Sequence, residues 1–121
     1  MPLNAFDLHD QVALITGPAK GMGRAVTLTL AEAGADLVLV GRDIEEINKV
    51  AQEAQRLGRN TSVIKCDVTS PEEVTAMIDK AKKTLPHISI LVNIERVSTT
   101  ITTLRSSIHP YLTVSTSRIF N

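Results

Sequence analysis

The sequence predicts an α/β fold, in which helices connect the strands of a four-stranded parallel sheet. The first observation is that short apolar runs alternate with helical patterns from about residue 11 to 93, the order that parallel strands joined by right-handed crossovers produce. The second is composition, because 43% of the 121 residues are hydrophobic and 21% are charged, as in an ordinary globular domain. We expect the strand order 3-2-1-4, in a sheet that is incomplete on its C-terminal side.

The first two strands are short apolar runs, residues 11–16 (QVALIT) and 36–41 (DLVLVG). Continuous apolar runs of this length are typical of strands that are buried on both faces of a parallel sheet. Between them, residues 21–33 form a predicted helix of small residues. Gly34 is placed to end that helix in a left-handed conformation.

The second helix is predicted from its start signal and its apolar face. Asp43 and Glu46, three residues apart, have the spacing of a capping box. Apolar residues then recur at helical spacing on one face, namely Ile44, Ile47, Val50, Ala51, Ala54 and Leu57. Gly58 is expected to end the helix, and residues 61–66 (TSVIKC) follow as the third strand.

The third helix has a strong start signal as well. Ser70 is its predicted cap, Pro71 occupies the first helical position and Glu73 completes the capping box. Its apolar stripe consists of Val74, Met77, Ile78, Ala81 and Leu85. Pro86 is expected to end the helix, and residues 88–93 form the fourth strand.

Residues 97–121 differ in composition from the rest of the chain. They hold eleven Ser or Thr residues and no acidic residue, and they show no helical period. Short β-prone stretches occur, such as 111–114, but no helix start signal precedes them. We therefore divide the chain into a half-domain at 1–96 and a loosely structured Ser/Thr-rich tail at 97–121, with at most one or two strands.

The turn between the first strand and the first helix carries a functional motif, Thr16 to Gly23 (TGPAKGMG), with glycines spaced G-x-x-x-G-x-G. A pyrophosphate binds backbone N–H groups at a helix N-terminus, and side chains at the contact positions would block its approach. A Walker-type loop is excluded, because Met22 stands five residues after Gly17 and no Lys-Ser or Lys-Thr pair follows. The alternative is a glycine-rich turn without a ligand.

Three motifs together resemble the short-chain dehydrogenase/reductase family over about residues 8–93. The pattern TGxxxGxG follows the first strand, Asp67-Val68 follows the third, and residues 91–93 (LVN) end the fourth. The resemblance implies a Rossmann-type domain that binds NAD(P), and an oxidoreductase acting on alcohol and carbonyl groups. It also implies that Asp67 and Val68 contact the adenine; the alternative for Asp67 is an ordinary turn residue.

The charges near the turn favour NADP over NAD. An NAD-binding domain of this type usually has an acidic residue at the end of the second strand, where it bonds the ribose 2′-hydroxyl. Here that position is Gly41, Arg42 follows it, and Lys20 lies in the turn. Two cations can pair with a 2′-phosphate that a carboxylate would repel, although both could also be solvated surface charges. We assign Asp43 to the helix cap. The candidate cofactor-binding residues are Thr16, Gly17, Lys20, Gly21, Met22, Gly23, Arg42, Asp67, Val68 and Asn93.

The family's catalytic residues have no counterpart in this sequence. The resemblance implies a tyrosine as general acid/base, a lysine four residues later that lowers the tyrosine pKa, and a serine that positions the carbonyl. The one tyrosine is Tyr111, Ser115 stands four residues later, and no lysine follows Lys83. We therefore assign no catalytic residue, neither Tyr111 nor Ser98 nor Ser106, and expect the chain to be inactive alone.

The family pattern ends abruptly after the fourth strand. Where the family continues with Asn-Ala-Gly, this chain has Ile94, Glu95 and Arg96. The two helices that form the family's main dimer contact have no counterpart either, so the oligomeric state is open. Our hypothesis is a truncated or alternatively read chain, whose residues from 94 onward do not descend from the family sequence. We also expect apolar residues in 12–15 and 90–92 to be exposed on one face of the sheet.

Composition and charge argue against several other function classes. The net charge is zero and 2% of the residues are aromatic, which argues against nucleic acid as a partner. No apolar run has the roughly 18 residues of a membrane span. Neither the three histidines nor Cys66 show metal-ligand spacing, and Cys66 is expected to be a small buried strand residue. We expect a reduced, cytoplasmic protein.

Three functions stay open at this point. The first is an NADP-dependent oxidoreductase, and the second is a non-catalytic dinucleotide-binding fragment. The third is a protein that pairs with a full-length relative and modulates it. The expected exposed sheet surface supports this function, because exposed apolar surface often marks a protein–protein interface.

Overall fold

The computed structural model describes residues 7–85, 87–94 and 112–115 of the chain. Strands and helices alternate in the predicted order, and their ends lie within two residues of the predicted ones. The elements are β1 (Val12–Thr16), α1 (Gly21–Glu32), β2 (Asp36–Gly41), α2 (Ile44–Arg56), β3 (Thr61–Lys65), α3 (Pro71–Thr84), β4 (Ile88–Asn93) and β5 (Leu112–Ser115). Within these described ranges, no helix combines the length and the apolar character that crossing a bilayer requires.

The sheet has the strand order β3-β2-β1-β4-β5, and each pair of neighbouring strands in it is parallel. The predicted Rossmann-type order 3-2-1-4 is therefore confirmed. β5 comes from the region predicted to be a tail and lies beside β4, with Ser115 level with Asn93. The division of the chain between residues 96 and 97 stays a prediction, and Pro86, the predicted end of α3, lies outside the described residues.

The two predicted helix caps are confirmed. The Asp43 side chain accepts a hydrogen bond from the backbone N–H of Glu46 at 3.2 Å, at the start of α2. At the start of α3, Ser70 Oγ accepts from the backbone N–H of Glu73 at 3.3 Å. In both cases a side-chain oxygen takes one of the N–H groups that the first helical turn leaves without a partner. The two caps fix where α2 and α3 leave the carboxyl edge of the sheet.

Both faces of the sheet are covered. Residues of α3 pack on one face together with Leu14 and Leu91, whereas residues of α1 and α2 pack on the other face together with Ile15 and Val92. The expected exposure of 12–15 and 90–92 is therefore wrong: Leu14, Ile15 and Leu91 are 0% exposed, and the largest exposed fraction in the two segments is 7%, at Val12. Residues 12–15 and 90–92 are therefore buried on both faces of the sheet.

Candidate functional site

The sequence motifs meet at the carboxyl edge of the sheet. From β1 the chain passes through α1 to β2 on one side, and it later returns through α3 to β4 on the other side of β1. This reversal leaves a crevice beyond the ends of β1 and β4, and ligands of open parallel sheets bind at such a point. Thr16 and Asn93, the last residues of those two strands, are register partners there.

The glycine turn is tightly folded against the start of α1. Gly17 has a φ of 68° and Gly21 a φ of 52°, a left-handed backbone that glycine adopts without strain. A Cβ placed on Gly23 would lie 1.8 Å from the carbonyl oxygen of Gly17, whereas a Cβ on Gly21 would meet nothing within 4 Å. Gly23 is thus required by close packing, and the space outside Gly21 is open to an approaching group.

In the part of the chain that the structure describes, no side chain caps the N-terminus of α1 and its first turn carries no carboxylate. Lys20 is the cap residue and makes no side-chain hydrogen bond to the helix, and the first turn holds no acidic residue. By contrast, α2 and α3 each carry a capping side chain and two glutamates in their first turns. The partial positive charge of the α1 terminus is therefore not offset by a side chain of the helix itself, which suits an anionic ligand.

A cleft of about 190 Å³ separates the glycine turn from the end of β2. Its lining consists of Gly17, Pro18, Ala19, Lys20, Gly41, Arg42, Asp43 and Ile47. Lys20 and Arg42 are both exposed, and neither forms an ion pair with another residue in the described ranges. The single carboxylate of the lining belongs to Asp43, which caps α2. Two cations that have no ion-pair partner in the described ranges thus line a cleft that begins at a helix N-terminus.

Asp67 also lies at the carboxyl edge of the sheet. It follows β3, whereas Arg42 follows β2, the strand between β3 and β1. Its carboxylate Oδ1 accepts from the backbone N–H of Thr69 at 2.9 Å and from the Thr69 hydroxyl at 2.6 Å. These bonds, first that of the hydroxyl and then that of the N–H, lower the pKa of Asp67, and the positive charge of Arg42 adds to the effect. Asp67 is therefore ionised at neutral pH, and its neighbour Val68 is buried.

Thr16 and Asn93 join the ends of β1 and β4. Both are fully buried. Thr16 Oγ1 donates to Asn93 Oδ1 at 2.5 Å and accepts from the backbone N–H of Ile94 at 3.1 Å. These bonds fix the relative position of the two strand ends, so the pair shapes the floor of the crevice.

Comparison with known proteins identifies the fold's relatives. A family model described as short chain dehydrogenase matches residues 11–106. The chain belongs to the short-chain dehydrogenase family. The match begins one residue before β1 and extends past the end of β4.

Curated relatives and solved structures agree with this family. A 2-dehydro-3-deoxy-D-gluconate 5-dehydrogenase of Pseudoalteromonas atlantica is 40% identical over 92 residues, which cover 75% of this chain and 36% of the relative. A hydroxysteroid dehydrogenase crystal structure from Escherichia coli aligns with a TM-score of 0.86 at 24% identity, over 93% of this chain and 59% of that one. A 7α-hydroxysteroid dehydrogenase complexed with NADH and 7-oxo glycochenodeoxycholic acid aligns with a TM-score of 0.84 at 25% identity, over 91% of this chain and 54% of that one.

The chain spans roughly a third of the length of the curated relatives that it matches. The matched part contains β1 to β4 and the cleft, and the family binds NAD(P). Several residues discussed from the sequence lie outside the described residues, namely Glu95, Arg96, Ser98, Ser106, His109 and Tyr111. Within the described ranges, no group of three His, Cys, Asp or Glu residues is arranged to hold a metal ion.

The structure brings together some of the predicted site residues and separates others. Gly17, Lys20 and Arg42 line one cleft. Met22, at the start of α1, is 42% exposed, whereas Thr16 and Gly23 are buried. Along the motif, exposed residues that a ligand can contact thus alternate with buried residues that fix the shape of the turn.

Sequence reasoning missed Ile47 as part of the cleft. Its Cδ1 lies 2.9 Å from the position that a Cβ on Gly41 would occupy, so the absent side chain at Gly41 makes room for it. The signal was present in the sequence, because Ile47 lies in the first turn of an amphipathic helix directly after β2. What the pattern does not show is that this apolar face extends to the mouth of the cleft.

Cys66 is 1% exposed, which confirms its predicted burial, but it lies one residue after the end of β3 rather than in the strand. Burial raises the pKa of its thiol to about 11, and the negative charges of Glu73 and Asp67 add to the rise. The thiolate is the reactive form of cysteine. Cys66 is therefore protonated and unreactive at neutral pH.

The raised thiol pKa predicts a pH dependence of stability. The pKa of Cys66 is about 11 in the folded chain against an ordinary 9.0, so the folded state keeps the proton longer than the unfolded state. The contribution is complete below about pH 9 and is lost as the pH rises toward 11, so the free energy of unfolding should fall across this range. Urea unfolding at a series of pH values measures it. Cys66→Ala is expected to show a shallower fall, and the same slope in both proteins would contradict the assignment.

Proposed function

We propose that this chain is the NADP(H)-binding part of a short-chain dehydrogenase/reductase-type oxidoreductase. When bound, the nicotinamide cofactor would donate a hydride to a carbonyl group in its reduced form, or accept one from an alcohol in its oxidised form. The chain's own residues bind and orient the dinucleotide. This function accounts for the glycine turn, the uncapped α1 terminus and the two cations of the cleft together.

Each candidate residue has a proposed part in holding the cofactor. The backbone of Gly17 to Gly23, with Thr16 beneath it, receives the pyrophosphate at the α1 N-terminus, since no capping side chain or carboxylate competes there. Met22 offers its exposed side chain as an apolar contact. Asp67 and Val68 face the adenine end, and Asn93 fixes the end of β4 on which the crevice depends.

The observation that supports NADP most directly is the pair of cations in the cleft. Lys20 and Arg42 lack ion-pair partners among the described residues, and the Asp43 carboxylate beside them is held as a helix cap. A 2′-phosphate between them would form charge-assisted hydrogen bonds that a plain ribose cannot form. A related steroid dehydrogenase was solved with NADH, so the choice between the two cofactors depends on this chain's own charges.

We further propose that the chain on its own binds the cofactor without turnover. The sequence offers no Tyr-Lys pair four residues apart, and a tyrosine near its ordinary pKa of about 10 is a poor acid/base at neutral pH. Saturable NADP binding without reduction of a panel of carbonyl compounds is the expected result. Turnover by the pure, folded chain would overturn this part of the proposal and leave the binding part intact.

Reversing the charge of either cation tests the cofactor preference. Arg42→Glu and Lys20→Glu are each expected to weaken NADP binding by about tenfold to a hundredfold, because each removes a charge-assisted bond to phosphate and adds repulsion. NAD binding should change little, since it has no 2′-phosphate. Titration calorimetry with NADP and NAD, for each variant, gives the two affinities.

A matched control separates local from general charge effects. Lys80→Glu changes the net charge equally but lies on α3, outside the cleft lining. It should leave both affinities close to those of the unaltered chain. Equal losses for NADP and NAD in Arg42→Glu would argue against phosphate recognition, and no saturable binding of either cofactor to the unaltered chain would overturn the proposed function.

A further inference from the structure

The backbone at the end of β2 is held from both neighbouring strands. From the side of β1, the Gly17 N–H donates to the Val40 carbonyl oxygen at 3.2 Å, and from the side of β3, the Cys66 N–H donates to the Gly41 carbonyl oxygen at 3.0 Å. Gly41 is buried, and, unlike Gly17, it is not in the left-handed region. Its conformation would therefore suit any residue, but the bonds on both sides keep the backbone from moving aside for a side chain.

The space that a side chain at position 41 needs is occupied by one methyl group. Apart from the chain neighbours of Gly41, a Cβ there would meet only Ile47 within 4 Å in the described ranges, with Cδ1 at 2.9 Å and Cγ1 at 4.0 Å. Ile47 is 2% exposed, in the cluster that joins α1 and α2 to the sheet. A β-branched side chain in a helix also has one strongly preferred χ1 rotamer. Both neighbours of the absent Cβ, the strand and the isoleucine, are therefore held in place.

We propose that Ile47 is a specificity-determining residue for the cofactor, because its Cδ1 keeps a side chain out of position 41. The inference rests on the proposed function, since it concerns how the cleft selects between NADP and NAD. An acidic residue at this position of a Rossmann-type domain bonds the 2′-hydroxyl of an unphosphorylated ribose. In this chain packing excludes that residue, while Lys20 and Arg42 line the cleft as cations and suit a 2′-phosphate.

The consequence is that a carboxylate at position 41 changes the cofactor preference only after Cδ1 has been removed. Ile47→Val deletes that methyl group and keeps Cγ1, whose 4.0 Å distance from the new Cβ is an ordinary contact. The charge added by Gly41→Asp and the space made by Ile47→Val should therefore be effective only together. If charge alone decided the preference, Gly41→Asp would need no second substitution.

Titration calorimetry with NAD and NADP tests this dependence. In Gly41→Asp, NADP binding should weaken by about tenfold or more, because the carboxylate repels the 2′-phosphate, whereas NAD binding should not improve. In Gly41→Asp/Ile47→Val, NAD binding should be about tenfold tighter than in Gly41→Asp, as expected for a hydrogen bond to a charged group. An equal gain of NAD affinity in Gly41→Asp alone, or no gain in the double variant, would overturn the role of Ile47 while the proposed NADP site stands.

Thermal unfolding without a ligand tests the packing independently of binding. Gly41→Ala adds the Cβ without a charge, and it should lower the unfolding midpoint by roughly 5–10 °C, the usual effect of overpacking. In Gly41→Ala/Ile47→Val the midpoint should fall by clearly less than the sum of the two single losses, because the deleted methyl group relieves the crowding. Additive losses would overturn the packing argument and with it the role of Ile47.

The matched control is Ile78→Val, the same deletion from a buried isoleucine of α3. Ile78 is 3% exposed and belongs to the core cluster on the other face of the sheet. Its loss of stability should add to that of Gly41→Ala, and Gly41→Asp/Ile78→Val should show no gain of NAD affinity. A gain there equal to that of the Ile47 double variant would show general loosening of the core and would overturn the inference. Binding of neither dinucleotide to the unaltered chain would overturn both the role of Ile47 and the proposed function.

Discussion

Replacing Gly23 with alanine is expected to destroy the glycine turn and to destabilise the chain by about 3 kcal/mol or more. The added Cβ would lie 1.8 Å from the Gly17 carbonyl oxygen and 3.2 Å from Pro18 Cα. Both neighbours are backbone atoms, which cannot turn aside as the end of a flexible side chain would. The turn must open by displacing either the end of β1 or the first turn of α1. Urea unfolding measures the loss, and NADP titration should show that binding disappears with it.

The control is Gly58→Ala, which tests conformation without crowding. Gly58 has a φ of 85° but a Cβ there would meet nothing within 4 Å. Its cost should be about 1–2 kcal/mol, the price of a left-handed backbone for an L residue, and NADP binding should persist because Gly58 lies at the far end of α2. Similar losses at Gly23 and Gly58 would show that close packing is not the reason for glycine in the turn.

The sequence predicts the fold well because each local signal agrees with the tertiary arrangement. The Asp43 and Ser70 caps place the starts of α2 and α3 at the residues where the structure has them, and Gly58 follows the end of α2 in the left-handed region. The wrong expectation, an exposed sheet face, came from comparing the chain with the whole family. Burial is decided by which helices pack on which face, and the apolar stripe of α3 covers the face of Leu14.

The site is predictable in position but only partly in its contacts. Since the strands are parallel, residues at their carboxyl ends meet at one edge, so Gly17, Arg42 and Asp67 could be grouped from the sequence alone. The capping-box pattern also predicts that Glu73 bonds back to the Ser70 N–H. The structure instead shows the Glu73 carboxylate on the Asp67 N–H. The sequence pattern alone cannot predict which of these two N–H groups bonds to the Glu73 carboxylate, because that depends on the path of the turn before α3.

Contacts that long, charged side chains make with residues far away in the chain could not be predicted. Arg24 in α1 pairs with Glu53 in α2 at 2.6 Å, and Arg59 donates to the Gly34 carbonyl oxygen at 3.0 Å. Long, charged side chains on helix surfaces have many possible partners, and nothing in the sequence pattern selects one. Thr16 and Asn93 differ from these, because the strand order 3-2-1-4 makes their two strands neighbours before any side chain is considered.

Leu14→Ala is expected to reduce the free energy of unfolding by about 3–5 kcal/mol. Leu14 is 0% exposed at the centre of β1, between β2 and β4, and it belongs to the cluster that joins the sheet to α3. Truncation to alanine leaves a cavity, because the surrounding β2, β4 and α3 are packed too well to move in and fill it. Leu57→Ala is the matched control: Leu57 is 42% exposed at the end of α2, so the same substitution should cost less than about 1 kcal/mol.

The Leu14 variant also tests whether the core and the cleft belong to one cooperative unit. A ligand at 100 times its dissociation constant adds about 2.7 kcal/mol to the stability of the state that binds it. NADP at that excess should therefore restore more than half of the stability that Leu14→Ala loses. Leu14 itself lies on the sheet face that packs against α3 and does not line the cleft. The coupling is expected because β1 carries both Leu14 and the glycine turn, so the turn loses its shape when β1 unfolds. Thermal unfolding with and without NADP gives the comparison. The contradicting outcome is that NADP stabilises the unaltered chain but not a Leu14→Ala variant that is still folded. That result would show that the cavity distorts the glycine turn even while β1 is folded.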